Sequence, residues 1–201
     1  MIPKAVDTKT RILDAAEKLF GKNGFDATSL RDITAEASVN LAAVNYHFQS
    51  KDSLIDAVIA RRVEPVNQRR LEMLEAAGEN PTLEQLLIAF LQPLMQHDFS
   101  VVYPLMARVL ATPDTFVTHL LKRHLGLIIE RFGEAFGKAL PEFTETQIRW
   151  KMHFTAGAMA HVLSRAYMLP ELMPDTKFDC QTALAELVTF AAAGFRAKEG
   201  I

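Results

Sequence analysis

Between Thr28 and Lys51 the chain gathers side chains suited to contact with double-stranded DNA. The carboxamide of Asn45 can pair in bidentate fashion with adenine, and Tyr46 offers a ring for a thymine methyl or a hydroxyl for a phosphate. His47 and Lys51 supply donors for phosphate oxygens. Ala42 and Ala43 matter by being small, because they let a helix N-terminus come close to backbone and bases. Ser50 is suited to cap a helix that starts at Lys51, so an ammonium and a helix N-terminus could address one phosphate.

These side chains need a frame, and the flanking residues describe one. Thr28 and Ser29 are good N-cap types, and Leu30, Ile33 and Ala37 recur at helical spacing, which predicts a helix of about two turns ending near Ala37. Ser38 and Val39 make a turn. Asn40 can cap a second short helix with Ala43 and Val44 inward and Leu41, Ala42, Asn45, Tyr46 and His47 on its other sides. Such a pair of helices fits the major groove, although periodicity alone describes many hairpins in all-α proteins equally well. Upstream, Ile12, Leu13, Ala16, Leu19 and Phe20 trace one face of a bracing helix from Thr8 that stops within Gly21 to Gly24. Phe25 and Phe48 are placed to close the small core, and Lys4, Lys9 and Arg11 either touch phosphates or face solvent.

The run ILDAAEKLFGKNGFDATSLRDITAEASV followed by NLAAVNYHFQSKDSLIDAV, with its Phe-Gly-x-x-Gly-Phe turn, Thr-Ser-Leu-Arg-Asp-Ile helix start and His-Phe-x-Ser-Lys junction, resembles the TetR family of bacterial transcriptional regulators across roughly residues 8 to 62. The resemblance implies an all-α fold. A three-helix DNA-binding domain with a helix-turn-helix would occupy residues 1–50, with a connecting helix from 51, and residues 51–201 would form a larger helical effector-binding and dimerisation domain. The expected partners are an operator in double-stranded DNA, a second copy of the chain in a homodimer, and a small-molecule effector, with no cofactor. DNA contacts are expected at Thr28, Ser29, Asn40, Leu41, Ala42, Ala43, Asn45, Tyr46, His47 and Lys51. Two positions depart from the family pattern. Ser38 stands where Gly is usual in the turn, at a cost of about 1 kcal/mol if φ is positive there, and Asn45 stands where a Tyr is usual, which favours base reading over phosphate contact.

Composition bounds the rest. The 201 residues are 49% hydrophobic, enough for a sizeable core, and the formal net charge of −2 requires any DNA affinity to come from local placement of cations. Residues 1–62 hold nine Lys and Arg against eight Asp and Glu. The first residues lack an apolar leader and no apolar run reaches the roughly 18 residues that span a bilayer, so a cytoplasmic protein without membrane contact is expected. Cys180 is the single cysteine and sits at the start of an apolar helical pattern, which predicts a packing role.

Beyond Ser50 the pattern is helical throughout. A helix from Lys51 runs towards Ala77, and Pro65 predicts a kink or break near Arg61 to Pro65. Arg61, Arg62, Arg69 and Arg70 read as solvent-facing partners of Glu64, Glu72 and Glu75. Thr82 with Gln85 and Thr144 with Gln147 read as capping boxes, a helix containing Pro104 is expected over Val101–Leu110, Thr112 and Pro113 open a long helix to about Leu140, and Asp179 opens the last. Gly126, Gly133 and Gly137 in the long helix suit close packing.

No catalytic or metal-binding pattern is present: His119 and His124 are five residues apart, and His153 and His161 are eight apart, or about 12 Å by helical rise. The competing class is an all-helical enzyme acting on an apolar substrate. The large adaptable residues of the second part suit a ligand chamber or an ordinary bundle core. As chamber residues we expect Phe90, Tyr103, Met106, Phe132 and Met152, with Arg108, Arg149 and His153 orienting a polar group. Small residues cluster at Thr155–Ala158 with Ala160, and at Ala191–Gly194, as helices that cross closely in a dimer would require. The function implied is a ligand-responsive regulator, a repressor released from a near-palindromic operator by a small apolar or amphipathic effector.

Overall fold

Local capping chemistry sets where most helices begin. The computed structural model describes residues 7–95, 115–165, 171 and 179–198, and eight helices with no strand lie among them. They are α1 (Thr8–Asn23), α2 (Leu30–Ala37), α3 (Leu41–Phe48), α4 (Lys51–Ala76), α5 (Leu83–Met95), α6 (Thr115–Ala139), α7 (Glu145–Arg165) and α8 (Cys180–Arg196). Ser29 and Asp32 form a reciprocal capping box at α2, and Thr82 with Gln85 and Thr144 with Gln147 do the same before α5 and α7. Asn40, Ser50 and Asp179 each accept a backbone N–H at the starts of α3, α4 and α8. The residues Val101–Leu110, Thr112 and Pro113 lie outside the described set, as do Tyr103, Met106 and Arg108.

The chain divides into two compact units. Among the described residues the first holds 7–64 with 115–120, and the second holds 65–95, 121–165, 171 and 179–198. The division falls at Pro65, yet α4 is continuous through it, so the expected break is absent. Proline removes one hydrogen bond, to the carbonyl of Arg61, and Val63 and Val66 on either side are buried, which holds the helix together across the gap.

In the first unit α1 packs against α2 and α3 around Ile12, Ala16, Phe20, Ile33, Val44 and Phe48. Phe25 meets Phe20 at 5.3 Å between ring centroids. Charge also holds α1. Glu17 is buried at 2% exposure and takes two hydrogen bonds from Arg62, while Arg61 reaches Asp14 at 2.6 Å, so these two arginines face α1 and do not form local pairs with α4 glutamates.

In the second unit α8 packs against α5 and α7, and Phe90, Phe132, Phe136 and Phe195 form a chain of ring contacts from 4.7 to 6.4 Å. Each such ring, fully buried, contributes roughly 1.5–3 kcal/mol. The glycines of α6 do not serve close packing: Gly126 and Gly137 have open space beside them, and Gly133 meets only the Met152 sulfur at 4.0 Å. Cys180 is exposed at the first position of α8 and packs against no core.

Arg62→Met should cost about 3 kcal/mol in a urea titration, because Glu17 is left as a buried carboxylate without its fork-shaped partner. Arg61→Ala, which removes a more exposed pair, should cost under about 1 kcal/mol, and equal losses would contradict this difference in role.

Candidate functional site

The helix-turn-helix is built from two eight-residue helices and a three-residue connection. Ser38 adopts the left-handed conformation, φ 51° and ψ 49°, and its N–H donates back to Thr34 and Ala35 carbonyls, so Ser occupies the position where glycine would be unstrained. The Arg11 guanidinium on α1 donates to the carbonyls of Ala37 and Ser38. That contact ties the bracing helix to the turn, and it means that Arg11 is engaged within the protein.

At the head of α2 the Ser29 hydroxyl and N–H hold the Asp32 carboxyl below its ordinary range. A depressed carboxyl contributes stability above the unfolded value of about 3.9 and loses it as pH falls through the lower folded value. Ser29 is exposed but occupied by this cap. Thr28 departs from expectation. It is fully buried, its hydroxyl donating to the Gly24 carbonyl at 2.8 Å, so it anchors the α1–α2 connection and cannot touch DNA.

The other expected contacts share one short element and its flanks. Val44 and Phe48 are buried, Ala43 and His47 are half-buried, and Asn40, Leu41, Ala42, Asn45 and Tyr46 are exposed, Tyr46 at 83%. The rings of Tyr46 and His47 meet edge to face at 5.0 Å, which restricts both. Asn40 spends its oxygen on the Ala43 N–H at 2.8 Å and keeps its amide protons. Lys51 is half-buried at the first position of α4. The α3 surface therefore offers a carboxamide, a phenol and an imidazole beside small methyl groups, which is chemistry for base edges and phosphates.

The residues expected to line a chamber are not brought together. Phe90, Phe132 and Met152 lie within the packed core of the second unit, whereas Arg149 and His153 are on the exposed side of α7, Arg149 bonded to Glu145 one turn earlier. Trp150 and Phe154, stacked at 5.5 Å between centroids, share that outer face at 55% and 66% exposure. Position along α7 could not tell its two apolar faces apart. A surface groove of about 340 Å³ does exist in this unit, lined by Leu74, Glu75, Glu79, Arg131, Glu134 and Lys138, but its rim is charged and it is separate from the aromatic cluster. Sequence reasoning missed Arg70, which is 5% exposed and not solvent-facing.

Residues 12–58 match the sequence model of bacterial regulatory proteins of the tetR family, and residues 88–194 match that of the tetracyclin repressor-like C-terminal domain. The chain belongs to the TetR family. Its alternative reading as an all-helical enzyme falls with that membership. A relative among TetR-type proteins is the probable HTH-type transcriptional regulator YttP of Bacillus subtilis, 30% identical over 125 residues, a match spanning 60% of this chain and 58% of that protein. Among solved structures the fold is similar to GusR of Salmonella enterica, with a TM-score of 0.71 at 20% identity over 98% of this chain and 99% of that one. It is also similar to the SmeT–triclosan complex, with a TM-score of 0.66 at 22% identity over 91% and 90%. No described helix is long and apolar enough to cross a membrane.

Ser38→Gly should raise stability by about 1 kcal/mol, since glycine meets a positive φ without the Cβ clash. The midpoint of chemical denaturation measures it, and an unchanged or lower midpoint would show that the Ser38 side chain supports the turn in another way.

Proposed function

We propose that this protein is a ligand-responsive transcriptional regulator, a repressor that leaves a near-palindromic operator when a small apolar or amphipathic effector occupies its larger helical unit. The observation that carries the reading is the exposed face of α3, with Asn45 and Tyr46 on a helix whose buried side is Val44 and Phe48. Residues 1–50 form the DNA-reading domain, with α4 as connecting helix from 51, and residues 51–201 bind effector and dimerise. An operator-bound regulator works in the cytoplasm.

In the duplex, α3 enters the major groove, Asn45 reads a base edge, Tyr46 and His47 flank it, and Lys51 addresses a phosphate at the start of α4. Asn45→Ala should weaken binding by about 1 to 3 kcal/mol on the preferred operator and flatten preference at one base pair. Lys51→Ala should instead weaken all sequences alike and reduce the salt slope by about 0.9. Gel retardation across operator variants and salt concentrations separates the two. Uniform loss with Asn45→Ala would remove the base-reading role.

One α3 makes too few base contacts for useful specificity, so the operator reading requires two copies. The outer faces of α7 and α8 support a homodimer. Trp150, Phe154 and Phe190 are exposed there, Phe190 at 71%, and Gly157 and Gly194 have open space where a partner helix could approach. The small-residue clusters serve this only in part, because Thr155, Ala191 and Ala192 are buried within the unit and a charge at Ala192 would disturb folding first. The triclosan complex of the similar SmeT structure supports an effector of small apolar type. Effector binding then favours a spacing of the two DNA domains that no longer matches successive major grooves.

Phe154→Arg combined with Phe190→Arg should give a folded monomer by sedimentation, with weak DNA binding that shows little sequence preference. A double variant that stays dimeric and keeps operator affinity would place the interface elsewhere.

A further inference from the structure

Buried charges in folded proteins are paired, coordinated or used. Glu17 and Arg62 of the first unit satisfy that rule with each other. Arg70, in α4 of the second unit, does not. It is 5% exposed, and no carboxylate lies within ion-pair distance of it among the described residues. Its Nε donates to the Phe90 carbonyl at 2.8 Å, one terminal N–H reaches Asn67 Oδ1 at 3.3 Å, and the guanidinium lies 4.8 Å from the centroid of the Phe90 ring. Asn67 is itself fixed by donating to the His124 carbonyl of α6 at 2.7 Å.

Those bonds give Arg70 a structural duty that does not need its charge. The Phe90 carbonyl is next to the one, on Ala89, that Pro93 deprives of its helical donor, and a neutral N–H would serve that bend as well. Two of the five guanidinium donors are used, and among the described residues no carboxylate meets the rest. Burial lowers the pKa of Arg70 to about 10, so the group still carries its charge at neutral pH. The side chain is held in place by Phe90 and Asn67, and Phe90 is itself part of the hydrophobic core of this unit. A fixed, largely buried guanidinium beside an aromatic ring is a receptor for a planar anion on an apolar body.

We propose that Arg70 is the counter-ion for the effector, and that the effector is an apolar organic acid whose carboxylate completes this buried pair. This rests on the effector-binding role proposed above and narrows its ligand to an anionic class. The carboxylate then takes the remaining guanidinium donors.

The test uses the full-length protein and two matched probe pairs, decanoate with decan-1-ol and 4-phenylbutyrate with 4-phenylbutan-1-ol, measured by titration calorimetry and by release of the retained operator fragment. The wild type should bind each acid at least ten-fold more tightly than its alcohol. Arg70→Met should bring the acid's affinity down to that of the alcohol, and Arg70→Lys, which keeps the charge and guards against a folding defect in the first variant, should retain part of the preference. Equal binding of acid and alcohol to the wild type, or an acid preference that survives Arg70→Met, would overturn the role of Arg70 while leaving an effector site in place. Failure of all four probes to bind or to release the operator would overturn the effector reading and this inference together.

Discussion

Helix α3 is too short to hold itself. Eight residues with two buried side chains, Val44 and Phe48, cannot offset the cost of nucleating a helix in water, so its shape and direction come from what surrounds it. Asn40 satisfies an N–H at its start, Ser38 bends the chain into it from α2, and Arg11 bonds the carbonyls at that bend. The buried faces of α1 and α2, with Ile12, Phe20 and Ile33, supply the wall on which Val44 and Phe48 rest. Because α3 contributes so little to its own stability, its remaining surface is free for the DNA contact proposed for it. That freedom is visible in Tyr46, a large aromatic left almost wholly in solvent.

The same division of labour extends outward. The bracing helix α1 is fixed to α4 by a buried carboxylate that Arg62 meets with two hydrogen bonds and Arg61 approaches at 4.0 Å. In the second unit the work is done by aromatic packing, from Phe90 through Phe132 and Phe136 to Phe195, and Lys151 closes the end of α8 by donating to the Gly194 and Ala197 carbonyls. Against that background Arg70 is the exception, a buried cation with hydrogen bonds but, among the described residues, no carboxylate beside it. Exposed aromatics on α7 and α8 are a second exception, and the proposed homodimer would cover them.

Much of this was legible from residue types alone, and the reason is that capping is local. Ser29, Asn40, Thr82 with Gln85, Thr144 with Gln147 and Asp179 act on groups two or three residues away, so their types and spacing carry the information, although the return bond of Asp32 to Ser29 was not read. The left-handed turn at Ser38 was suggested only by the family pattern, in which Gly is usual there, and the structure gives its φ as 51°. What failed depended on distant neighbours. Thr28 has the chemistry of a cap, but Ser29 takes the cap and Thr28 turns inward to Gly24. Arg70 looked like its neighbour Arg69, which does pair with Glu72 in solvent, and one residue of helical rotation separates the exposed site from the buried one. On α7, Met152 and Phe154 are equally apolar, and the packing of the other helices of the unit decides that the first is core and the second is surface.

The claim on which the account depends is that α3 lies in the major groove at two symmetric half-sites, and footprinting of the wild-type protein on a retained genomic fragment tests it most directly. Hydroxyl-radical cleavage should show two protected patches on one face of the duplex, centred a whole number of helical turns apart, and guanine N7 in the major groove should be shielded from methylation within each patch. A single patch, protection spread evenly along the backbone, or guanines that stay reactive throughout would contradict it.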